Sequence, residues 1–121
     1  MLATHEIQEL ELKQFGVATE PIAPFELIED QNGVTIYHAM RNTMSGETDT
    51  FVSVFDGRII RLGNSRPTYR ANTTPEVIAE EMGGTVRRVG DDAGYIVGPD
   101  GFGLAGWTMG DGLICLSRSG R

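Results

Sequence analysis

The sequence predicts an α+β fold: a single domain in which an antiparallel β-meander of seven or eight short strands carries one or two α-helices packed on the sheet. Three observations favour this class. β-prone runs alternate with tight-turn residues over most of the chain, one complete helix signature lies past its middle, and glycines punctuate the C-terminal third. A length of 121 residues with 40% hydrophobic side chains suffices for one core.

Residues 1–24 are predicted to form a helix followed by an extended entry segment. Thr4 is placed to cap a helix over residues 5–15, and Gly16 is placed to end it. An alternation of apolar and charged residues inside this segment also fits a strand, so both alternatives stay open. Two prolines then keep the chain extended up to the first meander.

Residues 25–62 are predicted to form that first meander. Asx-Gly pairs at residues 32–33 and 56–57 tolerate positive φ at both positions, which predicts two-residue type I′ turns between antiparallel strands. With residues 56–57 as the loop, strict alternation places Leu62 on the same sheet face as Phe51.

Residues 73–83 carry the clearest helix signature in the chain. Thr73 or Thr74 supplies the cap, Pro75 suits the first helical position, and Glu76 completes a capping box with Thr73. Two consecutive glycines then end the helix.

The segments on either side of this helix lack helical patterns. Residues 63–72 have the composition of a loop, and residues 85–118 are predicted to form a glycine-rich second meander. Its strands are expected at residues 85–89, 95–97, 102–108 and 113–117.

Charge excludes some classes of partner. The net charge is −7, so neither general nucleic-acid binding nor binding to a membrane surface is expected, because both depend on lysine and arginine meeting phosphates. The charge is distributed unevenly along the chain. Residues 1–56 hold ten acidic and two basic side chains, net −8, whereas residues 57–90 hold six arginines and three glutamates, net +3.

The sequence favours the cytoplasm as the compartment. Its apolar runs are far shorter than the roughly 20 residues of a membrane span, and the N-terminal residues lack the basic and apolar regions of a secretory signal. The single cysteine, Cys115, cannot form an intramolecular disulfide, which suits a reducing compartment. Its apolar neighbours predict a buried, unreactive thiol.

No motif predicts a cofactor, a metal site or a catalytic group. Gly101, Gly103 and Gly106 spell G-x-G-x-x-G, but no helix-forming segment follows, so we interpret them as turn and bulge residues rather than as a nucleotide site. His38 alternates with apolar residues along a strand and is expected to be a satisfied histidine at the edge of the core. The two histidines and one cysteine have no zinc-site spacing.

One group of residues is a candidate ligand site. Arginine side chains bind phosphate and carboxylate groups bidentately and stack on aromatic rings, so several that converge could hold a small anion. The alternative is that they pair with the protein's own surplus carboxylates. The group lies in the basic stretch and comprises Arg58, Arg61, Arg66, Tyr69, Arg70, Arg87 and Arg88.

Three functions are compatible with this sequence. The first is a small non-enzymatic interaction protein, of accessory or inhibitor type, that binds another protein through an acidic surface. The alternative is binding of a small anionic ligand, such as a nucleotide or a phosphorylated metabolite, through the arginine group. An enzyme without a recognisable catalytic motif comes third. Homo-oligomerisation stays open for all three.

Overall fold

The computed structural model describes residues 1–118. In that range the chain forms two helices and nine strands, in the order α1 (Thr4–Phe15), β1 (Glu26–Gln31), β2 (Val34–Thr43), β3 (Gly46–Phe55), β4 (Arg58–Gly63), β5 (Thr68–Ala71), α2 (Pro75–Glu81), β6 (Thr85–Gly90), β7 (Ala93–Val97), β8 (Gly103–Gly110) and β9 (Leu113–Arg118). The α+β class and its antiparallel meanders are confirmed. The described strands number nine, where seven or eight were predicted, and they lie in two sheets; the additional strand is β5.

The chain divides into two compact units, Met1–Arg66 and Pro67–Arg121, which we call unit 1 and unit 2. Unit 1 contains a four-stranded sheet, sheet 1, in the order β1-β2-β3-β4. Unit 2 contains a five-stranded sheet, sheet 2, in the order β5-β9-β8-β7-β6. The assignment of the whole chain to one domain stays a prediction.

The predicted two-residue turns of unit 1 are confirmed. Asn32 and Gly33 have φ values of 53° and 83°, and Asp56 and Gly57 have values of 53° and 74°. Positive φ at both central residues is the requirement of a type I′ turn, whose twist matches that of the flanking strands. These turns join consecutive strands, and sheet 1 is therefore a simple meander.

The N-terminal segment is a helix rather than a strand, and Gly16 ends it with φ 77°. The prediction that Thr4 caps this helix is wrong. Ala3 occupies the cap position, and its N–H donates to Glu6 Oε1 at 2.9 Å. Thr4 Oγ1 instead accepts a hydrogen bond from the Phe25 N–H at 2.9 Å, because the entry segment returns to the start of the helix.

The core of unit 1 lies between α1 and one face of sheet 1. Ile7, on the inner side of α1, is fully buried, and burial of such a side chain stabilises the fold by roughly 1.5–3 kcal/mol. The other buried members of this core come from the entry segment and the three strands after β1: Phe25, Tyr37, Ala39, Val52, Val54 and Ile59.

The predicted position of Leu62 is wrong. Val54 pairs with Ile59 and Ser53 with Arg61, so one extra residue of β4 bulges out between these two pairs. The bulge shifts the register and sets Leu62 opposite Val52 rather than on the face of Phe51. Strict alternation holds only where no bulge interrupts the ladder.

Sheet 2 begins inside the segment that was predicted to be a loop. Residues 68–71 form β5, which pairs with β9 so that Tyr69 lies opposite Cys115. The loop prediction for residues 63–72 is therefore wrong in its second half. Pairing with a strand far along the chain outweighs the local composition.

Helix α2 is shorter than the predicted segment of residues 73–83. Its cap is Thr74, whose Oγ1 accepts from the Val77 N–H at 3.2 Å, so the predicted capping box from Thr73 is wrong. Pro75 begins the helix as predicted. Gly83, with φ 73°, follows its end.

Trp107 on β8 is the largest buried side chain of unit 2. Its ring packs closely beside Gly94 on β7, where a Cβ atom would lie 2.9 Å from the ring and 2.1 Å from the Arg87 carbonyl oxygen. Only glycine allows this approach. The remaining core residues come from α2, β7 and β9: Ile78, Ala79, Ile96, Ile114 and Leu116.

Candidate functional site

The predicted arginine group is divided between the two units. Three of its members, Arg58, Arg61 and Arg66, belong to unit 1. The four others belong to unit 2, with Tyr69 and Arg70 on β5 and Arg87 and Arg88 on β6.

In unit 1, the described contacts of the arginines are to the protein's own polar groups. Arg61 donates from Nη1 to the Ser65 carbonyl oxygen at 2.9 Å and from Nη2 to Ser65 Oγ at 3.1 Å. Arg66 Nη2 lies 2.5 Å from Glu29 Oε1 on β1. Arg58 is exposed at the start of β4. Arg61 and Arg66 therefore contact different partners.

In unit 2, Arg70 and Glu81 form a bidentate ion pair, with N–O distances of 3.1 and 3.2 Å. The hydrogen bonds from Arg70, and then its positive charge, hold the pKa of Glu81 below its ordinary value. The same contacts raise the pKa of Arg70. Because the folded pKa of the carboxyl group is lowered, the pair is intact above the ordinary glutamate pKa and is lost as the pH falls through the lowered value.

Arg88 is fixed by three contacts. Its Nη2 lies 2.8 Å from Glu76 Oε2, its Nη1 donates to the Asp91 carbonyl oxygen at 3.1 Å, and its guanidinium lies 5.2 Å from the centre of the Trp107 ring. Arg87 is exposed and has no partner among residues 1–118. These neighbouring arginines are therefore unequal: one is part of the local structure, and the other is free to bind.

Tyr69 is only 4% exposed, so its ring cannot serve as an open stacking surface. A cavity of about 220 Å³ lies beside Arg70, and Arg118 also lines it. The Glu81 carboxylate lines the same cavity, and an anion there would meet its negative charge. The geometry therefore gives little support to the anion-binding hypothesis, which stays a prediction.

The acidic side chains of unit 1 are distributed differently from the arginines. Residues 1–66 hold ten acidic and five basic side chains, net −5. Six of the carboxylates are exposed and have no partner among the described residues. They are Glu9, Glu20, Glu26, Asp30, Glu47 and Asp56. Unit 1 therefore presents uncompensated negative charge to solvent.

One flank of α1 forms a groove with sheet 1, and its volume is about 530 Å³. The apolar part of its lining comes from Leu2, Leu10, Tyr37 and Val54. Three charged side chains of α1 line it as well: Glu6, Glu9 and Lys13. A groove of this volume that combines apolar with charged side chains can take a ligand or a partner's side chains.

Two sets of contacts hold α1 in the position that forms this groove. Glu11 and Arg41 make a buried ion pair with an N–O distance of 2.6 Å. At the end of the helix, the Gln14 side chain donates to the Ile59 carbonyl oxygen at 3.0 Å and accepts from the Ile59 N–H at 2.8 Å, as a strand would. The groove is therefore part of the folded structure of unit 1.

Glu6 and Glu9 differ in what they can offer a partner. Glu6 already accepts the hydrogen bond from Ala3 at the start of the helix. Glu9 is exposed and unpaired among the described residues. Sequence reasoning missed this groove. The signal that could have found it is the spacing of Glu6, Leu10 and Lys13, which puts an apolar side chain between two charges on one flank of a helix.

The cysteine and the histidine considered as reactive groups are both placed as structural residues. Cys115 is 9% exposed, which confirms the predicted burial. His38 Nε2 lies 2.7 Å from Asp49 Oδ1, so the prediction of a satisfied histidine is confirmed. Within residues 1–118, no three His, Cys, Asp or Glu side chains gather as metal ligands. Neither helix in that range has the length and apolar character to cross a membrane.

No family model, curated protein or solved structure matches this chain.

Proposed function

We propose that this protein is a non-enzymatic interaction protein whose unit 1 binds a basic surface of another protein. In this proposal, the groove beside α1 receives an apolar side chain of the partner, and lysine or arginine side chains next to it meet the carboxylates. The observation that carries the proposal is the apolar groove with the unpaired carboxylate of Glu9 at its side.

The charges of unit 1 support a basic partner rather than an acidic one. Unit 1 has six exposed carboxylates without described partners, whereas Lys13 is the cation that lines the groove. Surfaces of opposite charge accelerate association and discriminate against wrong partners. The apolar lining supplies the part of the affinity that salt does not screen.

The sequence has a single cysteine, Cys115, which cannot form an intramolecular disulfide, and on this ground we propose the cytoplasm as the place where this interaction occurs. A buried cysteine without a disulfide partner needs no oxidant to reach its folded state. The proposal of a compartment is independent of the proposal of a partner.

The partner can be captured from the groove itself. Lys13 is exposed beside the groove, and Lys13→benzoylphenylalanine places a photo-crosslinker there in the native host. The same crosslinker at Glu47, an exposed residue near the start of β3, is the matched control. We expect one basic protein to crosslink at position 13 and not at position 47.

The purified partner is then tested by calorimetry against two variants with the same change of charge. Glu9→Lys should weaken binding at least about tenfold, and Glu47→Lys less than about threefold, because Glu9 lines the groove and Glu47 does not. Equal losses in the two variants would show that the partner recognises overall charge and not this groove. A partner that carries net negative charge would contradict the proposal.

A further inference from the structure

Strand β6 is an edge of sheet 2. The sheet order ends at β6, and this strand pairs with β7 on one side only. In a strand paired on one side, every second residue directs its N–H and C=O groups away from the sheet. Such an edge is a template on which an extended segment of another chain can pair.

The edge is open to solvent. Five of the six residues of β6 are exposed, and Val86 is the exception because it packs against the core of unit 2. Val89 is 73% exposed. On the neighbouring strand, Tyr95 lies opposite Arg87 in the register and is 56% exposed, so both side chains are on the same face of the sheet.

The charge of β6 selects the kind of segment that fits. The strand carries two arginines and no acidic residue. Arg88 is already held by Glu76 and by the Trp107 ring, whereas Arg87 has no partner among the described residues. A second β6 strand would set like charges side by side, which disfavours self-pairing.

We propose that the edge of β6 binds an extended acidic segment of another protein as an added strand. Backbone hydrogen bonds to the free edge would give affinity, and a glutamate or aspartate next to Arg87 would give specificity. A register shift between Arg88 and Gly90 disturbs the end of the strand, so pairing extends over its first four residues. This surface lies in unit 2 and has the opposite charge preference to the groove of unit 1, so the two proposals stand or fall separately.

The test uses the full chain and a defined probe. The probe is a fluorescent capped peptide in which glutamate and valine alternate. One control peptide has lysine in place of glutamate, and a second has proline at its central position, which removes a donor that strand pairing needs. Binding is measured by fluorescence anisotropy, and amide hydrogen exchange by NMR locates the bound strand.

We expect the alternating acidic peptide to bind and to slow amide exchange at residues 85–88. Arg87→Glu should weaken its binding at least about tenfold, whereas Arg58→Glu, the same change of charge at an exposed arginine in unit 1, should weaken it less than about threefold. Circular dichroism checks that both variants fold. The lysine peptide and the proline peptide should not bind.

Several outcomes would overturn the proposal. Equal losses in Arg87→Glu and Arg58→Glu, or equal binding of the proline peptide, would show charge attraction without strand pairing. Protection outside β6 would place the peptide elsewhere. Absence of binding at millimolar peptide, or self-association of the chain through β6, would mean that this edge has no acidic partner.

Discussion

The buried ion pair between Glu11 and Arg41 should hold α1 on sheet 1 only while both charges are present. The Arg41 side chain is 9% exposed and that of Glu11 is 3% exposed. Arg41 Nη2 also donates to the Thr19 carbonyl oxygen at 3.0 Å, and its guanidinium lies 5.2 Å from the centre of the Phe25 ring. Glu11 has one described partner, which is Arg41. Each charge is therefore compensated by the other, and Glu11 relies on this pair more than Arg41 does, because Arg41 has two further contacts.

The expected loss of unfolding free energy follows from these contacts. Glu11→Leu leaves a buried guanidinium without its counter-ion, which typically costs about 3–5 kcal/mol. The Thr19 carbonyl and the Phe25 ring remain in place for Arg41, so we expect the lower end, about 3 kcal/mol. The double variant Glu11→Leu with Arg41→Met removes both charges and keeps most of the volume, and it should lie within about 1 kcal/mol of the wild type.

Urea unfolding of the wild type, the two single variants and the double variant forms a complete cycle. The single tryptophan, Trp107, reports on unit 2. The transition of unit 1 is therefore followed through the amide NMR signals of α1 and of Tyr37. We expect the sum of the losses in unfolding free energy of the two single variants to exceed the loss of the double variant by at least about 2 kcal/mol.

Additive losses would refute this reasoning, since they would mean that the two charges do not stabilise each other. A loss below about 1 kcal/mol in Glu11→Leu would also refute it, because the guanidinium would then reach water without cost. The same single variant should weaken binding in the groove, since α1 forms one of its walls.

Three further predictions concern unit 2. Thr74→Ala should cost about 1 kcal/mol in chemical unfolding and Thr73→Ala much less, because the Thr74 hydroxyl caps α2; equal costs would place the cap elsewhere. Gly94→Ala should destabilise the fold by at least about 2 kcal/mol, whereas Gly110→Ala, whose Cβ would have no neighbour within 4 Å, should change the melting temperature little. The Cys115 thiol should react with a thiol reagent far more slowly in native than in urea-unfolded protein, and equal rates would contradict its burial.

Much of the fold could be predicted because most of its strand pairing is local. Each strand of sheet 1 pairs with the next along the chain, so turn residues and β-prone runs contain nearly all the information. The same holds from β6 to β9, whose predicted positions agree with the structure within a few residues. The helix α2 was found because proline and a threonine cap act within one turn.

The errors arise where the structure depends on distant residues. Strand β5 exists because β9 pairs with it, and nothing in residues 68–71 alone indicates that partner. Leu62 changes face because of a bulge in β4, and a bulge depends on how two strands pack together. Thr4 and Thr73 are both residue types that cap helices well. Thr4 instead accepts a hydrogen bond from Phe25, and the cap of α2 is Thr74, one residue after Thr73.

The candidate sites, like the fold, could be predicted from the sequence only in part. The sequence identified the arginines, but it could not say which carboxylates they meet, since Arg66 pairs with a residue of β1 and Arg70 with the end of α2. The groove beside α1 was not predicted, because Tyr37 and Val54 line it only after the helix has packed on sheet 1. Such contacts are properties of tertiary structure.

The net charge of a segment is therefore a weak guide to what its surface attracts. The basic stretch, residues 57–90, has a net charge of +3, yet Arg66, Arg70 and Arg88 each hold a glutamate and offer little free charge to a partner. What a partner meets is the charge that no neighbour compensates. By that measure, unit 1 stays acidic: its two described Arg–Glu pairs remove one charge of each sign and leave the net −5 unchanged, and six exposed carboxylates have no partner among the described residues. The one uncompensated arginine on β6 then matters more than its single charge suggests, because it lies beside backbone groups that a strand can use.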